Sequence, residues 1–377
     1  MKVLFVSGAS PATLFAHVPL AQALRNAGHE VLLATTEEMT SVGETCALPF
    51  VTVTDRTIAG LLSTDRDGAP VPEPVGLEEE LRYAGGWFGR LAAACLDGLV
   101  EVSRHWRPDL VVGGTMCYAA ALLSARLGVP HIRLAWDAQD CREVHPLAEE
   151  ELAPEVRALG LTALPEPALF LDICPPGLRH PTAPPARMTR WVPGNAQRAL
   201  EPWMYTGSGR PRVCVTSGSR SSVSPIHDFL SELVADLAGL DAEVLVAAPE
   251  ADAGALRERF PGLRVGWMPL DVLAPTCDLV VHHGGGVTAL TALAAGRPQL
   301  VLPRWSIFGD SWRRIGASGA GITLFPDEAT SEAVAKGCRE LLTEPSYSER
   351  AGDLSAQMTA MPSPAEQVPV LEALGRR

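Results

Sequence analysis

Short runs of apolar residues alternate with amphipathic stretches along the chain, a pattern typical of parallel α/β proteins. The first unit predicts strand Lys2–Val6, a helix over Leu14–Ala27 that stops at Gly28, and strand Glu30–Ala34. The same pattern then predicts helix Trp87–Val100, strand Leu110–Gly113, helix Tyr118–Leu127, strand Pro130–Ala135 and helix Glu149–Gly160. We therefore expect a parallel sheet with helices on both faces.

A second series of the same kind begins near residue 213. It predicts strand Val213–Thr216, helix Ile226–Leu240, strand Glu243–Ala248, helix Asp252–Phe260, strand Leu263–Val265, strand Leu279–Val281, helix Val287–Ala295, strand Gln299–Leu302 and a helical tail from Glu332. The chain thus uses the same α/β pattern twice, which predicts two Rossmann-like domains.

Two stretches lack this periodicity. Residues 55–80 are polar, acidic and rich in Pro and Gly, so we expect a long surface loop with little regular structure. Residues 165–211 are proline-rich and predict a domain boundary. We accordingly predict a first domain over 1–195, a linker over 196–212, a second domain over 213–355, and a C-terminal helix over 356–377 that returns toward the first domain.

Composition narrows the classes of partner and compartment. The net charge of −13 comes without a basic stripe, which argues against nucleic acid. The eight cysteines are scattered without C-x-x-C spacing and predict buried free thiols. The apolar run at the N-terminus stops after residue 6, too early for a signal peptide, and no stretch is long enough to span a membrane. We expect a soluble cytoplasmic protein without a membrane partner, and a homodimer stays open.

The stretch Asp278–Pro303 carries the clearest chemical signal. A short buried strand runs into His282, His283 and the three glycines 284–286, and then into a helix with Thr288 in its first turn. Free amides and the positive end of the helix dipole at such a turn bind anions, and His283 adds a donor for phosphate oxygens. The alternative is a tight turn with two core histidines.

Other ligand classes have less support. The chain has no G-x-G-x-x-G after its first strand, no P-loop and no G-x-S-x-G elbow. Asp65 and Asp67 have the spacing of a metal-binding pair, but they lie in the acidic loop, far in sequence from the glycine turn. Trp267, fixed by Pro269, suits stacking on a flat base beside a diphosphate, or else closes the edge of the sheet.

These motifs resemble those of inverting GT-B glycosyltransferases that decorate bacterial natural products with dTDP-deoxysugars. The resemblance covers nearly the whole chain and rests on MKVLFVSGASPAT, AGHEVLLAT, RPDLVVGG, VGWMPL, CDLVVHHGGGVTAL, GRPQLVLP and MPSPAEQV. More closely, SGASPAT, RPDLVVGGTM, WDAQD, LFLDICPPGLR and LEPWMYT are similar to transferases that place D-olivose on angucycline polyketides. The fold it implies is two Rossmann-like parallel-sheet domains facing a central cleft. The resemblance also implies that the first domain (1–195) binds the acceptor and the second (213–355) binds the nucleotide sugar.

The resemblance also implies residue roles on the donor side. The segment from Trp267 to Leu270 holds the thymine, the turn from His283 to Thr288 binds the diphosphate, and Ser217–Ser219 lie beside the donor. The donor-binding residues are thus Ser217, Gly218, Ser219, Trp267, Met268, Leu270, His283, Gly284, Gly285, Gly286, Val287 and Thr288.

The chain departs from the family pattern at three places. Thr13, near Ser10, stands where the family has a catalytic histidine, and His17 one turn later is better explained as a packed helix residue. Val287 replaces a glycine on the phosphate side. Ile307 and Phe308 replace an Asp-Gln pair that grips sugar hydroxyls. Because burying an unpaired hydroxyl costs roughly 1–3 kcal/mol, this pocket favours a 2,6-dideoxyhexose such as D-olivose.

With that histidine missing, Asp137 is the best candidate for the catalytic base. Ser10 and Thr13, beside the acceptor, are the other two predicted catalytic residues. Asp137 follows strand Pro130–Ala135 at its carboxyl end, and the bulk of Trp136 keeps it partly desolvated. The alternative is an aspartate that caps the loop DAQD. A phenol, with a pKa near 10, needs only modest help. Trp87, Phe88 and Trp136 are the expected acceptor contacts.

The predicted reaction is a direct displacement at the anomeric carbon, without a cofactor or a metal, because the amides and His283 stabilise the leaving diphosphate. O-transfer to a phenol of an angucyclinone is favoured over C-transfer to the same kind of acceptor. A sugar-nucleotide epimerase and a non-catalytic helper that binds sugar nucleotides are the rival classes.

Overall fold

Two parallel β-sheets make up the centre of the computed structural model, which describes residues 1–218 and 226–376. The first sheet has the order β3-β2-β1-β4-β5-β6-β7, with β1 Lys2–Val6, β2 Glu30–Thr35, β3 Phe50–Thr52, β4 Leu110–Gly114, β5 His131–Leu134, β6 Leu169–Asp172 and β7 Arg187–Met188. The second has the order β10-β9-β8-β11-β12-β13, with β8 Arg212–Thr216, β9 Glu243–Ala247, β10 Arg264–Gly266, β11 Leu279–His282, β12 Gln299–Val301 and β13 Gly321–Thr323. The prediction of two parallel-sheet halves is confirmed.

Helices cover the faces of both sheets. Those before residue 212 are α1 Pro11–Asn26, α2 Thr40–Gly43, α3 Ile58–Ser63, α4 Leu77–His105, α5 Tyr118–Leu127, α6 His145–Glu151, α7 Ala153–Ala158 and α8 Pro202–Tyr205. Those after it are α9 Ile226–Asp236, α10 Glu250–Arg259, α11 Leu270–Leu273, α12 Gly286–Ala294, α13 Gly309–Ala317, α14 Ser331–Thr343, α15 Pro345–Ala360 and α16 Pro364–Gly375.

The strand order reverses once in each sheet, between β1 and β4 and between β8 and β11. Ligands of open α/β sheets bind at such switch points, beyond the carboxyl ends of the strands. Thr216 at the end of β8 pairs with His282 at the end of β11. The topology therefore brings Ser217 and Gly218 beside the glycine-rich turn.

The expectation of a long irregular loop over 55–80 is wrong at both of its ends. Helix α3 lies inside it, capped by the Thr57 side chain and anchored by buried Ile58 and Leu61. Helix α4 begins at Leu77, ten residues before the predicted start. Its first turn holds three glutamates, which look like loop residues by composition but stabilise the positive end of a helix dipole.

The proline-rich stretch 165–211 also contains regular structure that the pattern missed. Strands β6 and β7 extend the first sheet beyond β5, although they have only four and two residues. The helix predicted over Glu149–Gly160 is two short helices, α6 and α7, which break at Leu152 just before Pro154. Strands this short carry too few residues for an apolar pattern to stand out.

The last two helices close the chain against the first half. Helix α16 packs on α1, with Leu371 fully buried and Glu372 accepting a hydrogen bond from His29 Nε2 at 2.9 Å. The buried Gln367 side chain accepts from Arg187 and donates to the Met188 carbonyl oxygen at 3.1 Å. The C-terminus thus ties β7 and α1 together.

All eight cysteines are buried and free, as predicted. Among the described residues, none of the helices combines the length and the apolar character that crossing a membrane requires.

Candidate active site

A cleft of about 780 Å³ lies at the carboxyl ends of both sheets and takes its walls from both halves. It is wide enough for a small-molecule ligand and combines apolar side chains with a few polar groups, as binding sites do. The predicted site residues that line it are Ser10, Thr13, Trp87, Phe88, Trp136, Asp137, Ser217, Gly218, Trp267, Met268, Leu270, His283, Gly284, Gly285, Gly286, Val287, Thr288, Ile307 and Phe308. Ser219, the remaining one, lies outside the described residues.

The glycine turn has the local geometry of an anion site. Helix α12 begins at Gly286, and its N-cap residue Gly285 offers no side-chain acceptor to the amides of the first turn. Gly284 has φ +83°, a left-handed conformation that suits glycine, and a Cβ there would lie 3.2 Å from the Cα of Pro303. The turn therefore presents backbone amides and the positive end of a nine-residue helix to the cleft.

The two adjacent histidines have different roles. His282 is fully buried: its Nε2 lies 2.8 Å from Gln299 Oε1, and its Nδ1 accepts from Gly284 N at 3.2 Å. Burial lowers the pKa of His282 to about 4, so it is neutral and shapes the turn. His283 lines the cleft. The core-histidine interpretation thus fits His282 alone.

Residues after β8 complete this wall. Gly218 has φ +80°, and a Cβ there would lie 2.7 Å from Cε1 of His283, so a side chain at 218 would displace the imidazole. The Ser217 hydroxyl is buried in the cleft wall, with no hydrogen-bond partner in residues 1–218 and 226–376. A buried hydroxyl without a partner is costly, and a ligand oxygen would supply the missing bond.

Trp267 follows β10, the edge strand of the second sheet. Its indole Nε1 donates to the Ala196 carbonyl oxygen at 2.8 Å, and its backbone amide donates to Glu250 Oε1 at 3.1 Å. These bonds fix a half-buried ring on the cleft wall, beside buried Met268. The tryptophan therefore closes the sheet edge and also presents an aromatic surface to the cleft.

Asp137 follows β5 of the first sheet and lies against the start of α12 in the second half. A Cβ on Gly286 would lie 2.4 Å from Cβ and 2.6 Å from Oδ2 of Asp137, so only glycine permits this approach. Oδ1 accepts a hydrogen bond from Gln139 N at 2.9 Å, which is the loop cap offered as the alternative role. One oxygen thus holds the loop while the other faces the glycine turn.

The surroundings of Asp137 change its acidity. Burial raises the pKa of the Asp137 carboxyl from its usual 3.8 to about 7, and the bond from Gln139 N opposes part of that shift. Repulsion from the Asp172 carboxylate raises this pKa further. Deprotonated Asp137 can therefore accept a proton near neutral pH, which an ordinary aspartate does poorly.

Ser10 and Thr13 form the cap of α1 as well as lining the cleft. Ser10 Oγ accepts from Thr13 N at 3.2 Å, and Thr13 Oγ1 donates to the Ser10 carbonyl oxygen at 2.9 Å. These bonds suit contacts with an acceptor better than proton transfer, and the catalytic role of both residues stays a prediction. His17 is fully buried with its ring against Phe5, and burial lowers its pKa to about 4.

Three aromatic rings from the first half of the chain line the cleft. The Trp87 and Phe88 centroids lie 3.8 Å apart, and the Phe88 and Trp136 centroids 6.2 Å apart. Gly114 makes room for Trp136, because a Cβ there would lie 2.1 Å from the indole. These rings give an apolar surface in the cleft beside Asp137.

Other residues that line the cleft are not singled out by the sequence pattern, among them Glu80, Tyr83 and Trp305. Glu80 was counted within the acidic loop, and its recurrence with Tyr83 and Trp87 at helical spacing was the available signal. Glu80 Oε2 accepts hydrogen bonds from the backbone amides of Ser306 and Ile307.

The acidic pair considered for a metal has other contacts. Asp65 Oδ1 accepts from the backbone amides of Asp67 and Ala69, which closes a turn. Arg66 between them pairs with Glu151 and Glu155 of α6 and α7. These contacts join the turn at 65–69 to helices α6 and α7 of the same domain.

Comparison with known proteins agrees with this architecture. The N-terminal domain of the erythromycin biosynthesis protein CIII-like family matches residues 73–218, and its C-terminal domain matches residues 231–374. The aclacinomycin-T 2-deoxy-L-fucose transferase of Streptomyces galilaeus is 31% identical over 424 residues, covering 99% of this chain and 96% of that protein.

Solved structures give the same result. The glycosyltransferase SsfS6 of Streptomyces sp. SF2575, complexed with thymidine diphosphate, has a TM-score of 0.87 and 32% identity over 99% of both chains. The spinosyn rhamnosyltransferase SpnG, complexed with spinosyn aglycone, has a TM-score of 0.85 and 30% identity, covering 99% of this chain and all of that one. The predicted GT-B fold is confirmed. The chain therefore belongs to the erythromycin biosynthesis protein CIII-like family and is a glycosyltransferase.

Proposed function

We propose that the protein transfers a 2,6-dideoxyhexose, D-olivose in particular, from a dTDP-sugar to an aromatic polyketide of the angucyclinone type, with inversion. The observation that carries this proposal is the contact of Asp137 with Gly286. It places a carboxyl with a pKa of about 7 directly beside the turn that suits a departing diphosphate. A base that reaches from the first half to this turn of the second half fits group transfer between two bound substrates better than simple binding.

The donor side supports a thymidine diphosphate. The backbone amides at the start of α12, the His283 imidazole and the Thr288 hydroxyl suit the diphosphate oxygens. Trp267 offers its ring to the base. SsfS6, which shares 32% identity with this chain, binds thymidine diphosphate. No metal is required in this proposal, because these donors supply the charge stabilisation.

The proposed sugar and acceptor follow from the apolar side chains that line the cleft. Ile307 and Phe308 line the cleft with apolar atoms, which favours a sugar that lacks hydroxyls. A flat aromatic acceptor fits the wall of Trp87, Phe88 and Trp136. The 2-deoxy-L-fucose transferase among the relatives acts on a deoxysugar by its name.

The reaction is a single displacement. Asp137 takes the proton of the acceptor phenol, the phenolate oxygen bonds to the anomeric carbon, and the carbon–oxygen bond to the diphosphate breaks on the opposite face. The bonding electrons leave with the diphosphate, whose charge the α12 amides and His283 stabilise. A base with a pKa near 7 can remove the phenol proton in the transition state.

The proposed substrates are tested by incubating the protein with dTDP-olivose and an angucyclinone. We expect a monoglycosylated product that acid hydrolysis cleaves to aglycone and sugar, as an O-glycoside does. We also expect kcat/KM for dTDP-olivose to exceed that for dTDP-glucose by about 10- to 100-fold, the size expected for one or two unpaired hydroxyls.

Equal kinetics with both donors would contradict the role of Ile307 and Phe308. A product that resists acid would show that the link is to carbon. Conversion of the dTDP-sugar without an acceptor would favour the epimerase.

The role of Asp137 is tested by its pH dependence. Because the base must be deprotonated and its pKa is about 7, kcat/KM of the wild type should rise between pH 6 and pH 8. Asp137→Asn should lower kcat by about 10²- to 10⁴-fold and remove this rise. Asp67→Asn, at an exposed turn, is the control and should keep both. An Asp137→Ala variant with nearly full turnover would refute the assignment.

The contact with α12 is tested by Gly286→Ala. The added Cβ would lie 2.4 Å from Asp137 Cβ, so the carboxyl must move and kcat should fall by about 10²-fold. Gly254→Ala in α10, where a Cβ meets nothing within 4 Å, is the matched control and should leave kcat unchanged. Wild-type turnover by Gly286→Ala would show that the close approach is dispensable.

A further inference from the structure

Two contacts join helix α4 of the first half to the segment 303–308 of the second. Glu80 Oε2 accepts from the backbone amides of Ser306 at 2.6 Å and Ile307 at 3.0 Å. One turn later, the rings of Tyr83 and Trp305 lie 5.6 Å apart at 37°. We call segment 303–308 the bridge loop. It crosses the cleft and docks on α4.

The Glu80 contact belongs to the strong class of hydrogen bonds. A carboxylate that accepts two amide bonds is charge-assisted, and Glu80 is only 9% exposed, so water competes poorly for it. Both amides precede α13, which begins at Gly309, so that helix does not satisfy them. Without Glu80, two amides beside the cleft would lose their acceptor.

The residues on either side of this contact face the two substrates. Glu80, Tyr83 and Trp87 recur at positions i, i+3 and i+7 of α4 and so share one face of the helix, which also carries the proposed acceptor wall. The bridge loop carries Ile307 and Phe308, the proposed sugar pocket. One carboxylate therefore connects the acceptor wall to the sugar pocket.

The other end of the bridge loop packs on the glycine turn. Pro303 packs against Gly284, whose missing Cβ would lie 3.2 Å from its Cα. With Pro303 held at the diphosphate site and Ile307 held by Glu80, the span between them has little freedom. The position of the sugar pocket relative to the diphosphate site is thus set from across the cleft.

We propose that Glu80 is a positioning residue, which holds the bridge loop so that the donor sugar and the acceptor meet at reacting distance. This inference rests on the proposed function, because it takes Ile307 and Phe308 as the sugar pocket. It predicts that losing Glu80 harms the transfer step and spares the binding of the nucleotide, whose proposed contacts are Trp267 and the turn at 284–286. A misplacement of about 1 Å is enough to slow transfer by about 10²-fold.

The test compares Glu80→Met, which keeps the side-chain length but removes the acceptor, with Glu80→Gln, which restores a neutral acceptor. Glu78→Met is the matched control, because Glu78 lies in the same turn of α4 with its side chain 84% exposed. Each variant is assayed for transfer with dTDP-olivose, for thymidine diphosphate binding by calorimetry, and for amide hydrogen exchange in peptides covering 303–309.

Glu80→Met should speed exchange over 303–309, lower kcat by about 10- to 100-fold, and leave Kd for thymidine diphosphate within about twofold. Glu80→Gln should recover part of kcat, and Glu78→Met should match the wild type. Unchanged exchange in Glu80→Met would show that the bridge is absent in solution. Unchanged kcat, or a loss of diphosphate affinity as large as the loss of kcat, would refute the positioning role.

A folding control and the activity of the wild type distinguish failure of the Glu80 proposal from failure of the proposed function. Exchange in peptides from β1 and β8, measured in the same samples, shows whether Glu80→Met is folded; if it is not, Glu80→Ala takes its place with the same expected results. A wild type without transfer activity would overturn the proposed function, and with it the role of Glu80. An active wild type whose Glu80 variants keep full kcat would overturn the role of Glu80 alone.

Discussion

The close approach of Asp137 to the N-terminus of α12 is the constraint on which the site depends. The two residues in contact follow strands of different sheets, β5 and β11, and their contact exists only because position 286 has no Cβ. A larger residue there would separate the carboxyl from the turn.

The burial of Asp137 makes its carboxylate a better base and also destabilises the charged form. Surrounding protein atoms raise the pKa of Asp137 to about 7. The bond from Gln139 N and the position beside a helix N-terminus offset part of that cost. At neutral pH the Asp137 carboxyl is therefore only partly ionised.

The sequence predicted those parts of the site that lie within one local motif. The strand, glycine turn and helix around His283 were recognisable because their residues are contiguous, and Asp137 because it directly follows an apolar strand. The contact of Glu80 with the bridge loop was not predicted, since three glutamates in a helix's first turn have the composition of a loop. The Asp137–Gly286 contact could not be read from the chain, because it depends on how the halves face each other. Strands β6 and β7 escaped because four and two residues are too few for a period to emerge.

In the proposed function, the glycine turn holds a diphosphate while the aromatic wall presents the acceptor. Crystals soaked with thymidine diphosphate test this arrangement most directly. We expect density with the diphosphate at the start of α12 beside His283 and the thymine against Trp267. Density for the nucleotide anywhere else in the cleft, or on the side of Trp87 and Trp136, would contradict it.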